Sequence, residues 1–174
     1  MALFFDHVLL PEGWSADVRI ELDGNRIASV SARANDQGAE RRRGIALPGM
    51  PNLHSHTFQR AMAGLAEQRG ESEDNFWTWR RVMYHFLGEL TPEDVEAIAA
   101  FAFMEMLERG FTSVAEFHYL HHAPDGTPYD NITELSERIV AAADETGIGL
   151  TCCRSYIVHL VSVAHRRPKA STAS

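Results

Sequence analysis

His54 and His56 stand two residues apart at the end of the stretch Leu47-Pro-Gly-Met-Pro-Asn-Leu-His-Ser-His. In an extended chain, residues i and i+2 project to the same side. Neutral imidazole nitrogens are the commonest protein ligands for zinc, so such a pair can clamp one divalent metal and leave its other face open. Two ligands make half a site, and a histidine pair in a solvated loop has the same spacing. The context favours the metal: Pro48, Gly49 and Pro51 stiffen the approach, and Asn52-Leu53 deliver the pair to a strand end. A metal held there lets water lose a proton near neutral pH and attack an electrophilic carbon, which is hydrolytic chemistry.

The elements that position the pair follow from hydrophobic patterning. Residues 2–10 and 16–22 are short apolar or alternating runs separated by the turn Pro11-Glu-Gly-Trp14, and Asp23-Gly24 before residues 25–30 marks a tight hairpin. Residues 31–43 read as a solvated connection, after which Ile45-Ala-Leu47 begins the strand that carries the histidines. From His56 to Thr91 runs an insert with Trp77 and Trp79, far longer than a usual strand-to-helix connection. Thr91-Pro-Glu-Asp94 is a helix start with Thr91 as N-cap, and Val95, Ile98, Ala99, Ala102, Met106 and Leu107 recur near helical spacing up to Gly110. Phe111–Phe117 reads as a second strand with His118 and Tyr119 at its end. Asp130–Thr133 opens a helix with Leu135, Ile139, Val140 and Ala143 on one face, Gly147 closes it, and Ile148–Thr151 starts a third strand. Strand, helix, strand alternation implies parallel pairing.

With 45% hydrophobic and 23% charged residues, the sequence has the composition of a soluble globular protein. It lacks an apolar run long enough to span a bilayer and opens on no secretory signal, so no membrane and a cytoplasmic location are expected. A net charge of −8 and the absence of a basic patch interleaved with aromatics argue against nucleic acid. Adjacent Cys152 and Cys153 suit neither a mutual disulfide nor a Cys-x-x-Cys knuckle.

Three further motifs narrow the chemistry. Together with the Leu47–His56 stretch, His54-Ser-His-Thr-Phe-Gln-Arg-Ala-Met-Ala-Gly64, Asn75-Phe-Trp-Thr-Trp-Arg80 and Ala115-Glu-Phe-His-Tyr-Leu-His-His122 resemble the formimidoylglutamate deiminase family of the amidohydrolase superfamily, from about the N-terminus to Thr151. The resemblance implies an α/β fold: a small β-sandwich portion at 1–45, then at 46–151 about the first three strands of a truncated (β/α)8 metal-dependent hydrolase barrel. A whole barrel typically needs about 250 residues, more than the 174 present.

The implied reaction hydrolyses the formimino C–N bond of N-formimino-L-glutamate, a small-molecule substrate from histidine breakdown, to N-formyl-L-glutamate and ammonia. By the same resemblance His54 and His56 are metal ligands, with Zn as the expected ion. Gln59, Arg80 and Tyr119 match substrate-contacting positions, Arg80 being the natural fork for a carboxylate. Catalytic acid and base are expected on later strands, and the full-length family protein as a homodimer. The alternatives are another deaminase of the superfamily, acting on a nucleobase or triazine, or a catalytically incompetent fragment whose open strand edges favour association.

His118, His121 and His122 match loop positions of the family and read as no second metal site. Glu116, inside a strand expected to line the barrel, suggests a carboxylate that orients an imidazole. All 24 acidic residues lie at or before Glu145, while Arg154, Arg166, Arg167 and Lys169 follow Thr151. This break marks residues 152–174 as an expected out-of-frame, non-native tail. Loss of one base at the Thr151 junction accounts for it, since the shifted frame allows an apolar strand running into a glycine-rich loop.

Overall fold

The computed structural model describes residues 1–64 and 76–154, without the side chains of residues 76–78 and 80–82. The expected out-of-frame tail, apart from Cys152–Arg154, lies outside the described residues. The chain divides into two units, Met1–Gly49 and Met50–Ser174.

The first unit is a four-stranded sheet of β1 (Ala2–Leu10), β2 (Gly13–Asp23), β3 (Arg26–Ser31) and β4 (Glu40–Ala46), in the order β3-β2-β1-β4. The Asp23-Gly24 turn joins β2 to β3 as expected, with Gly24 at φ +60°, a conformation only glycine adopts freely. Strand β4 does not show in the sequence pattern. Glu40–Arg43 are not a solvated connection, and Ile45 belongs to this sheet, where β4 runs parallel to β1. Three consecutive arginines hide the strand pattern, yet Arg41 is tied to β1 by an ion pair to Asp6 at 2.6 Å and by its guanidinium over the Phe4 ring. Those partners lie more than thirty residues away in sequence, beyond the reach of local patterning.

The second unit holds the histidine pair. β5 (Met50–Ser55), β6 (Phe111–His118) and β7 (Gly149–Arg154) form a parallel sheet in the order β5-β6-β7. The pair therefore sits at the end of β5 rather than on a strand beginning at Ile45. A 3-10 turn, Thr57–Met62, follows at once, and the insert continues as α1 (Phe76–Leu87). α2 (Pro92–Glu108) and α3 (Glu134–Thr146) cover one face of the sheet, packing Val95, Ala99 and Phe103 with Leu135, Ile139 and Val114. Val140, expected on the apolar face of α3, is 44% exposed, and Ala142 takes the inward position. The helix ends at Gly147, φ +78°, whose N–H returns to the Ala143 carbonyl.

Thr91 caps α2 in both directions: its hydroxyl accepts from the Asp94 N–H, and the Asp94 carboxylate accepts from the Thr91 N–H. Replacing Thr91 by Ala is expected to lower stability by about 1 kcal/mol, read as a lower urea midpoint at unchanged slope.

Candidate active site

β5 ends in the sequence Asn52-Leu53-His54-Ser55, and its register against β6 shifts between Asn52 and Ser55. This irregularity turns consecutive side chains away from strict alternation. Asn52 stabilises it locally, its Oδ1 accepting the His54 backbone N–H at 3.2 Å. The two imidazoles converge, with His54 Nε2 and His56 Nε2 3.1 Å apart and the rings edge to face. Two nitrogens bound to one tetrahedral zinc at its usual distances stand about 3.3 Å apart, so the pair is close to chelating geometry.

The His56 ring is held by its other nitrogen. Nδ1 lies 2.8 Å from the Phe117 carbonyl oxygen, and since a carbonyl only accepts, Nδ1 carries the proton. That tautomer leaves Nε2 with a lone pair facing His54. The His54 ring in turn stacks at a tilt on the Phe117 ring, 4.5 Å between centroids.

Two of the three expected substrate residues are brought together beside this pair. Gln59 Nε2 donates to Tyr119 Oη at 3.1 Å, and the Tyr119 ring stands edge-on to His56 at 4.9 Å. Burial pushes the Tyr119 phenol above its ordinary pKa, so it stays a neutral donor and acceptor at neutral pH. Arg80 lies on the α1 backbone, but its side chain, like that of Trp77, is outside the described residues. Trp79 packs against the apolar cluster.

Glu116 is buried on β6. It shares a face with Val114, toward the helices, and its carboxylate reaches Thr57 instead of an imidazole. The true partner of His56 is a backbone carbonyl, which side-chain patterns cannot announce. His118 and His121 are buried with ring centroids 5.6 Å apart, and no group of three metal-binding side chains forms among the described residues. No helix among the described residues is long and apolar enough to cross a membrane.

Comparison with known proteins identifies the family. The profile described as "Amidohydrolase family" matches residues 45–170, and that described as "Formimidoylglutamate deiminase HutF, N-terminal domain" matches residues 2–44. The chain belongs to the amidohydrolase family. A formimidoylglutamate deiminase of Pseudomonas aeruginosa is 54% identical over 151 residues, covering 86% of this chain and 33% of that protein. The crystal structure of an amidohydrolase from Brucella melitensis superposes with a TM-score of 0.81 at 49% identity, over 87% of this chain and 34% of that one. An atrazine chlorohydrolase of Arthrobacter aurescens TC1, solved with zinc and atraton, shares the fold at a TM-score of 0.66 and 22% identity, over 87% of this chain and 35% of that one. This amidohydrolase chain thus spans about a third of the length of these relatives. Two imidazoles that converge in this way suit a divalent metal by their own chemistry.

Proposed function

We propose that this chain carries the opening part of the active site of a formimidoylglutamate deiminase, which converts N-formimino-L-glutamate and water to N-formyl-L-glutamate and ammonia. The observation that carries the proposal is the convergence of the two Nε2 atoms beside the Gln59–Tyr119 hydrogen bond, in a sequence 54% identical to a deiminase of that name. On this reading the β5-β6-β7 sheet is the first arc of a (β/α)8 barrel, and the site opens at the C-terminal ends of its strands.

His54 and His56 would hold a zinc ion through Nε2. When bound, such an ion supplies Lewis acidity and makes water a nucleophile near neutral pH. The Phe117 carbonyl keeps the His56 proton on Nδ1, so Nε2 needs no deprotonation before it ligates. Gln59 and Tyr119 fix one another and present an amide oxygen and a phenol to a polar substrate. Arg80 would bind a glutamate carboxylate as a two-pronged donor.

A chimera tests the assignment: residues 1–151 fused to the remainder of the Pseudomonas aeruginosa relative. It is expected to release ammonia from N-formimino-L-glutamate and none from guanine or a triazine; the reverse preference would refute the proposed substrate. In the same chimera, Arg80→Ala is expected to lower kcat/KM by about tenfold or more at unchanged metal content. Kinetics equal to the parent would make Arg80 an ordinary surface residue.

A further inference from the structure

Glu116 is 1% exposed, and a buried carboxylate is costly unless it has a job for its oxygens. Its Oε1 accepts two hydrogen bonds, from the Thr57 backbone N–H at 2.8 Å and from the Thr57 hydroxyl at 3.0 Å. Thr57 is itself 2% exposed and opens the 3-10 turn that follows the histidine pair. The first N–H groups of a helical turn lack internal partners, and the His56 side chain at the N-cap does not cap them. Glu116 supplies from the neighbouring strand what a local cap would.

The Thr57 N–H belongs to the peptide that follows His56, so holding it fixes the rotation of the His56 backbone, where ψ is 81°. The next residue of β6, Phe117, holds the His56 ring at Nδ1. Two consecutive residues of β6 therefore grip two consecutive residues after β5, one by its side chain on backbone and the other by its backbone on a side chain. A small rotation at the 56–57 peptide would swing the ring off the Phe117 carbonyl and free its tautomer. We propose that Glu116 is the positioning residue of the histidine pair, acting through Thr57 to keep His56 Nδ1 on the Phe117 carbonyl and Nε2 turned toward His54. The inference rests on His54 and His56 being metal ligands, and it adds the residue that aims them.

Because both bonds end on Oε1, Glu116→Gln retains the acceptor while Glu116→Ala removes it. The test uses the 174-residue chain with nitrogen-labelled histidines, whose long-range nitrogen–proton spectra report each tautomer during titration with zinc alone. In the parent chain His56 is expected as the Nδ1–H form, with Nε2 shifting on zinc addition. Glu116→Ala is expected to give mixed His56 tautomers and about tenfold weaker zinc binding, with circular dichroism unchanged. Glu116→Gln is expected to restore both. An alanine variant with parental tautomer and affinity would overturn the proposal, as would a folded glutamine variant no better than alanine. If the alanine variant does not fold, Thr57→Val serves: it loses only the hydroxyl bond, and about threefold weaker zinc binding is expected. Parental affinity in that variant counts against the proposal. Zinc that perturbs neither ring in the parent would refute the metal assignment, while the His56 tautomer in the variants still decides the role of Glu116.

Discussion

Replacing either His54 or His56 by Ala is expected to weaken zinc binding to the chain by about a hundredfold or more. Joining two ligands in one frame makes the second contact intramolecular, a gain of about 10²–10⁴ over either ligand alone. The 3.1 Å approach of the two Nε2 atoms means that little rearrangement stands between the apo pair and a chelate, so the gain is not spent on ordering the rings. His121→Ala is the control, since His121 is buried against His118, and it is expected to leave the affinity unchanged. The parent affinity itself is expected to be weak, and the 174-residue chain loaded with zinc is expected to release no ammonia from N-formimino-L-glutamate. Catalytic zinc takes three protein ligands and an open position, and among the described residues none joins the pair as a third. Competition against a coloured chelator measures the affinity, and an ammonia assay measures turnover. Tight stoichiometric zinc binding with turnover would show that the missing ligand lies within this chain, and single variants that bind as the parent does would place the metal elsewhere.

What the sequence showed and what it concealed divide along the range of the interactions involved. The Asp23-Gly24 hairpin and the Thr91 cap are made by neighbours in the chain, so residue type and spacing were enough to place them. The histidine pair was legible for the same reason. The hydrogen bond between Gln59 and Tyr119 joins residues sixty apart; the family resemblance named each of them, but no local pattern announces their contact. Strand β4 was missed because what makes Arg41 a strand residue is Asp6 and Phe4 across the sheet. The Phe117 carbonyl was invisible because every residue has one. Glu116 was noticed as a carboxylate in an apolar strand, yet its partner could not be named: the strand's alternation fixes its face, and only the fold brings Thr57 to that face.

Lowering the pH is expected to destabilise the second unit through one buried imidazole. His118 is 2% exposed on β6, and its Nε2 finds no hydrogen-bond partner among the described residues. Burial disfavours the charged ring, and the neighbouring His121 and the Arg154 guanidinium repel a further positive charge. Against these a hydrogen bond to the Leu120 backbone favours protonation, and the balance lowers the pKa from 6.5 to about 4. The folded state therefore keeps His118 neutral where the unfolded chain has already taken up a proton. Between about pH 6.5 and 4 the unfolded state binds more protons, so stability rises with pH across that window and is lost as pH falls through it. The full difference is on the order of 3 kcal/mol, from about 1.4 kcal/mol for each pKa unit. Urea unfolding at pH 7 and at pH 4.5 measures the loss, and His118→Leu separates this residue from the carboxylates that titrate in the same range. Leucine cannot take the proton, so the variant is expected to lose markedly less stability than the parent between the two pH values, whatever its absolute stability. Equal losses in parent and variant would mean that His118 accepts a proton in the folded chain as readily as in the unfolded one, by opening of the β6 end toward water.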